Sequence, residues 1–206
     1  MKVGAFYTRD GHSDLTVWAP LAQTIELKVV SGGNDLLPLQ KLDLGYWTIR
    51  TNALSPGDKY LYSIDGDRER PDPASFFQPY GVHEASEIID HNEFDWGDAA
   101  WTGMSIGEMI MYEIHVGTFT QKGTFDAAIN MLDDLKALGI NAIEIMPVAQ
   151  FPGERNWGYD GVYPFAVQGS YGGPDGLKRF DNIKNYSQPL TVACIDKPLK
   201  PVGPSI

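Results

Sequence analysis

The residues best suited to chemistry crowd into one run, Asn156-Trp157-Gly158-Tyr159-Asp160-Gly161-Val162-Tyr163. Aromatic rings beside a carboxylate suit a sugar: a ring stacks on its apolar C–H face, and the carboxylate accepts its hydroxyls. Trp157, Tyr159 and Asp160 are therefore the candidate substrate-binding residues. The alternative is packing aromatics and a loop-capping aspartate. The run sits in a long Gly-rich segment, Val148 to Gly173, behind a short apolar stretch, Ala142 to Met146, that stops at Pro147. A connection of that length is functional or disordered, and its aromatic content favours function.

Other polar residues make weaker patterns. Glu113 and His115 share a strand face within the apolar run Met109 to Val116, and Glu144 sits in the next apolar run. Polar side chains that hydrogen-bond across a strand interior account for all three. His12, His83 and His91 are scattered. No His/Cys/carboxylate spacing suits a transition metal, no G-x-G-x-x-G or Walker loop occurs, and nothing supports a Ser–His–Asp triad, so neither metal nor cofactor is expected.

The chain has 206 residues and a net charge of −11, from 27 acidic against 16 basic side chains. That balance argues against nucleic acid and anionic membrane as partners, both of which call for a basic face. With 43% hydrophobic residues it can bury a core. Cys194 is the only cysteine, which rules out an internal disulfide and fits a reducing compartment. The start, M-K-V-G-A-F-Y-T-R-D, lacks the apolar core of a signal peptide. No apolar run reaches the ~18 residues of a membrane span. These features read as a soluble cytoplasmic protein.

The elements that would position the candidates fall into two rhythms. Up to about residue 98, apolar residues alternate in short runs, Leu15–Trp18, Ile25–Val30, Tyr46–Ile49 and Tyr60–Ile64, separated by turn signals such as Ser31-Gly32-Gly33-Asn34 and Asp65-Gly66. A period of two gives each strand one buried and one wet face, and this spacing suggests an antiparallel β-sandwich. Pro71, Pro73 and Pro79 then mark a connector over residues 66–104, expected to pack over the sandwich. From Met109 the rhythm is strand, helix, strand. Thr124 is a candidate N-cap with Asp126 in the first turn. Phe125, Ile129, Leu132, Leu135 and Leu138 share one helix face, and Gly139 is a left-handed cap. Two parallel strands with a right-handed crossover are expected, followed by a second helix that Pro174 and Asp175 open.

The segment N-A-I-E-I-M-P-V-A-Q-F-P-G-E-R-N-W-G-Y-D-G-V resembles the second strand and following loop of the alpha-amylase superfamily of glycoside hydrolases. The run D-L-T-V-W-A-P-L-A-Q-T-I-E-L resembles the first strand pair of the immunoglobulin-like domain that precedes the barrel in its debranching, branching and trehalohydrolase members. The connector R-P-D-P-A-S-F-F-Q-P-Y-G-V-H and the aromatic loop are more similar to the maltooligosyltrehalose trehalohydrolases than to the other branches. Phe76 stands where that family is expected to carry an arginine. The resemblance covers roughly residues 14–180.

This resemblance implies an immunoglobulin-like antiparallel β-sandwich (1–98), an incomplete (β/α)8 barrel start (99–180) and an unmatched Pro-rich tail (181–206). It implies an enzyme that hydrolyses the α-1,4 bond of maltooligosyl trehalose to release trehalose. Tyr159 matches the tyrosine that stacks on the sugar before the scissile bond. Trp157 matches a neighbouring aromatic or histidine position, and Asp160 would accept a hydroxyl or hold the loop. The superfamily takes its nucleophilic Asp and acid/base Glu from strands four and five. It adds an Asp after strand seven and a D-V-V-Y-N-H motif after strand three. None has a counterpart here, and a full barrel needs ~250 residues. No catalytic residue is assigned, and the chain alone is expected to be inactive.

Leu190 to Ile195 could form a third strand ending at Asp196, but Lys197-Pro198-Leu199 does not continue the motif. The tail reads as a truncated or frame-shifted end. It would leave an exposed, aggregation-prone sheet unless a partner, such as the barrel remainder, covers it. The expected ligand is maltooligosyl trehalose or an α-glucan. Two alternatives stand beside this reading. One is a non-catalytic glucan-binding module using Trp18, Trp47, Tyr60 or Tyr62. The other is a fragment of a branching or debranching enzyme.

Overall fold

The computed structural model describes residues 2–33, 35–97 and 103–182, together with the backbone of 191–194. Its first strands are β1 (Gly4–Tyr7), β2 (Ser13–Trp18), β3 (Ile25–Val29), β4 (Leu36–Pro38), β5 (Gln40–Lys41), β6 (Tyr46–Thr51), β7 (Lys59–Ile64), β8 (Arg68–Arg70) and β9 (Ser86–Glu87). They form two antiparallel sheets, ordered β1-β2-β6-β5 and β4-β3-β7-β8, with β9 also on β7. Alternation decides which faces meet. Ile25, Leu27 and Val29 are buried while Glu26 and Lys28 between them are not. They share one core with Leu15, Val17, Trp47, Leu54, Tyr60 and Tyr62. Full burial of a side chain such as Leu27 contributes about 1.5–3 kcal/mol. The expected alternating runs all appear as strands, each within a residue or two of its expected bounds.

The connector packs onto this core through Asp72, which is fully buried. Its Oδ2 accepts the Tyr60 hydroxyl at 2.8 Å, its Oδ1 accepts the Ala74 N–H at 2.8 Å, and its own N–H donates to Ser86 Oγ at 3.0 Å. Burial outweighs these bonds and pushes its carboxyl up to about 6. Phe76, the position expected to differ from the family, is buried edge-on against Phe6 at 5.1 Å and His91 at 4.5 Å. An aromatic cluster thus stands where a guanidinium was expected.

The second half contains β10 (Met111–Ile114), α1 (Val116–Phe119), α2 (Phe125–Ile129), α3 (Leu132–Ala137), β11 (Ala142–Ile145), β12 (Ala149–Gln150), β13 (Tyr163–Val167), α4 (Gly173–Asp181) and β14 (Thr191–Cys194). Strands β10, β11 and β14 form a parallel sheet in that order, and β12 pairs with β13 as an antiparallel hairpin. The helices and sheet share a core of Ile114, Ile143, Ile145, Phe125, Leu132, Leu135, Leu177 and Phe180. No helix among the described residues is long and apolar enough to cross a membrane.

Several local expectations are met. Thr124 accepts the Ala127 N–H at 3.3 Å as the α2 N-cap. Gly139 has φ +91. The N–H groups of Gly139 and Ile140 donate to Lys136 and Leu135 carbonyls at 2.9 and 3.1 Å, the paired bonds of a Schellman cap. Helix α4 starts with Pro174 in its first turn.

Others need correction. The run Met109–Val116 is not one strand: β10 ends at Ile114, and the chain turns into α1 with Thr118 and Phe119 N–H groups on the His115 carbonyl. The expected single helix is broken between α2 and α3, where Asn130 Nδ2 bonds back to the Asp126 carbonyl at 3.2 Å and competes with the helical ladder. Leu138 falls off the buried face and is 78% exposed. The segment after Pro147 is not all loop, since β12 and β13 lie within it. The third strand predicted over 190–195 is β14, shorter by one residue at each end.

Candidate functional site

The turn of the β12–β13 hairpin carries the aromatic run, and buried amides at its base hold it. Gln168 takes the Phe151 N–H on Oε1 at 3.0 Å and donates from Nε2 to the Gly153 carbonyl at 2.9 Å and Ser170 Oγ at 3.0 Å. Gln150 Oε1 accepts the Gly169 N–H at 2.9 Å. Phe151 itself is fully buried in the core. Both amides sit next to apolar strands, so satisfying them in a dry environment fixes their orientation.

The turn is drawn tight at Gly158. Its φ is +94, and a β-carbon there would lie 2.2 Å from the Pro147 carbonyl oxygen. Only glycine allows this approach. The Gly158 N–H donates to Asn156 Oδ1 at 2.7 Å. On either side of Gly158 in sequence, Trp157 and Tyr159 are 73% and 70% exposed. Large aromatics left in water on a braced turn are available for a ligand.

Trp157 lines a cleft of about 480 Å³ together with His115, Gly117, Thr118, Glu154, Arg155 and Asn156. His115 follows β10 and the aromatic turn follows β11, so the cleft opens at the C-terminal ends of two adjacent parallel strands. The His115 ring lies 6.1 Å from the Trp157 ring, nearly edge-on, and 6.0 Å from Tyr171. His115 Nε2 is 2.7 Å from the Asn156 carbonyl oxygen, and its Nδ1 is 3.1 Å from Thr118 Oγ1. Tyr171 is buried, and that burial raises its hydroxyl pKa.

The structure thus brings Trp157 and His115 into one cleft. Tyr159 and Asp160 lie on the same turn but do not line it, and Asp160 Oδ2 accepts Asn156 Nδ2 at 3.4 Å. Tyr163 is not part of the exposed aromatic set: it is buried and donates its hydroxyl to the Val82 carbonyl at 2.7 Å. Glu113 is exposed and sits beside Glu144 in the strand register, so it is not the buried bridging group expected. Asp196 lies outside the described residues.

The scattered histidines stay apart. His12 contacts Asp10, and His91 packs on Phe76, with burial lowering its pKa to about 4. Among the described residues no group of three His, Cys, Asp or Glu side chains could hold a metal. Three of the four sandwich aromatics are core residues: Trp47, Tyr60 and Tyr62 are buried. Trp18 alone of the four is exposed, with its indole N–H on the Leu44 carbonyl at 3.0 Å. The glucan-binding module loses its basis at the buried three. Thr118 and Arg155 were not singled out in the sequence, and Asn156 entered only as the first residue of the aromatic run. The backbone turn that gathers them depends on Gly117 and Gly158, which carry no chemical group of their own.

No protein-family model matches the chain. Curated proteins and solved structures do. The chain is 45% identical over 205 residues to the malto-oligosyltrehalose trehalohydrolase of Saccharolobus solfataricus, covering 99% of this chain and 35% of that protein. It is 43% identical to the enzyme of the same name from Arthrobacter ramosus, covering 80% of this chain and 29% of that one. A 1.4 Å crystal structure described as an alpha amylase from Salmonella typhimurium superposes with a TM-score of 0.87 at 35% identity, over 94% of this chain and 32% of that one. This chain is therefore a homologue of the alpha-amylase-family glycoside hydrolases. Within them it is homologous to the maltooligosyltrehalose trehalohydrolases, as the connector and loop motifs indicated. It spans about a third of the length of these relatives.

Proposed function

We propose that this chain supplies a sugar-cradling wall of a trehalohydrolase-like glycoside hydrolase acting on maltooligosyl trehalose. In this reading residues 1–98 are a β-sandwich domain, residues 99–180 open a (β/α)8 barrel, and 181–206 are a Pro-rich tail in which β14 adds a third parallel strand. Barrel enzymes build their sites from loops at the C-terminal ends of the strands. The observation that carries the reading is Trp157, exposed in a cleft at that end of β10 and β11. Trp157 and Tyr159 stack on glucose rings, and Asp160 steadies the turn through Asn156 while remaining open to a hydroxyl.

Bond cleavage needs two carboxyl groups flanking the glycosidic oxygen, at about 5–5.5 Å in a retaining enzyme. Glu154 is the carboxylate lining the cleft, and one carboxylate cannot serve as both nucleophile and acid. The chain by itself binds and does not hydrolyse. Titrating tryptophan fluorescence with maltooligosyl trehalose tests the wall: saturable quenching is expected, and Trp157→Ala should remove most of it. No response at millimolar sugar would overturn the proposal. Sustained trehalose release by the purified chain would overturn its catalytic half.

A further inference from the structure

We infer that His115 is a positioning residue: its Nε2–H clamps the Asn156 carbonyl and thereby sets the ring of Trp157 in the cleft. The inference rests on the reading of this turn as a sugar wall and names the group that holds it in place. It follows from donor and acceptor chemistry. A backbone carbonyl only accepts, so at 2.7 Å from the Asn156 oxygen the proton must be on Nε2. In the neutral ring Nδ1 is then an acceptor, and the Thr118 hydroxyl can turn to it at 3.1 Å in place of its longer contact with the His115 carbonyl at 3.4 Å. Both ring nitrogens are spoken for within the protein.

The surroundings hold the ring where this bond can form. Tyr171 is buried and meets the imidazole edge-on at 6.0 Å, with its hydroxyl oxygen 3.3 Å from Nε2. Gly117 makes the approach possible. A β-carbon there would lie 2.8 Å from Tyr171 Cε1 and 3.1 Å from His115 Cε1. The histidine directly follows β10, one of the sheet's parallel strands, and reaches a carbonyl 41 residues further on. A rigid element thus anchors a turn whose aromatic side chains otherwise stand in water. Asn156 is bound at both ends, its carbonyl by His115 and its side-chain oxygen by the Gly158 N–H at 2.7 Å. Trp157 lies between these two anchor points in the chain.

Three measurements on the full chain test this. Nitrogen-15 spectra of labelled histidine should show His115 protonated at Nε2 and bare at Nδ1; the opposite tautomer overturns the inference. Hydrogen exchange of the turn, residues 153–160, should accelerate in His115→Ala and stay near wild type in His115→Gln, whose amide nitrogen can stand at the Nε2 position. Equal acceleration in both variants overturns it. Maltoheptaose affinity, read from tryptophan fluorescence, should fall about fivefold in His115→Ala, in line with one lost hydrogen bond, and be largely rescued in His115→Gln. If the wild-type chain binds no sugar, the sugar-wall reading fails while the tautomer and exchange still decide the role of His115. If His115→Ala does not fold, the tautomer and the glutamine variant decide it.

Discussion

Asp72→Asn should change how the stability of this chain depends on pH. Asp72 is wholly buried, and its carboxyl is pushed from 3.8 to about 6, chiefly by desolvation. The native state therefore holds its proton at pH values where the unfolded state has lost it. Stability falls wherever the native state binds more protons than the unfolded state. The contribution of Asp72 is thus most favourable below pH ~4, declines as pH rises to about 6, and is flat above. The gap of about two pH units corresponds to about 3 kcal/mol.

Asparagine has nothing to ionise and can keep both contacts, with the direction of the one to Tyr60 reversed. Its Oδ1 can accept the Ala74 N–H, and its Nδ2 can donate to the Tyr60 oxygen, the two contacts the aspartate makes at 2.8 Å. Urea unfolding of both proteins, followed by circular dichroism from pH 4 to pH 7, gives the difference in stability at each pH. That difference should move in favour of the variant by about 3 kcal/mol across the window. Taking the difference removes Asp10, Asp65 and Asp126, whose partners lower their pKa values in both proteins alike. A difference that stays flat, or moves the other way, would refute the claim that burial dominates over the hydrogen bonds at Asp72.

Other perturbations have equally definite outcomes. His91 has the opposite sign: burial, and then the Lys178 charge, lower its pKa from 6.5 to about 4, so its contribution is present at neutral pH and lost as pH falls between those values. His91→Phe, packed against Phe76 and Phe6, should remove about 3 kcal/mol of acid sensitivity over that interval, read from the same unfolding curves. Gly158→Ala forces a β-carbon against the Pro147 carbonyl at φ +94 and should cost about 1–3 kcal/mol, with faster hydrogen exchange in residues 153–160. Thr124→Ala removes the N-cap bond to Ala127 and should lower stability by about 1 kcal/mol, measured by thermal unfolding.

How much of this could be read from the chain depends on the distance over which each feature is encoded. Strand β3 was legible because Ile25, Leu27 and Val29 face the core and their neighbours face water, a pattern complete within five residues. Strands β4, β5 and β8 were missed because they run only two or three residues and most of their side chains are exposed, too short for a period to show. The Thr124 cap and the Gly139 Schellman turn were legible because both partners lie within one helical turn. The α2–α3 break was not, since Leu132 and Leu135 keep the apolar spacing across it.

The site shows the same division. Trp157 and Tyr159 were found by composition, because aromatics flanking a glycine in a long polar segment have no strand of their own in which to pack. His115 was taken for a residue bridging the sheet interior. Its partner is a backbone carbonyl 41 residues away, and a carbonyl is present at every position in a chain. Residue types therefore carry no record of that bond. The two glycines beside it leave a trace only as missing side chains, Gly117 where Tyr171 and His115 close in and Gly158 where the turn meets Pro147. In a site built this way the chemical groups can be read from the sequence and their supports cannot. The positioning residues are then found only where a tautomer or an excluded β-carbon forces the geometry.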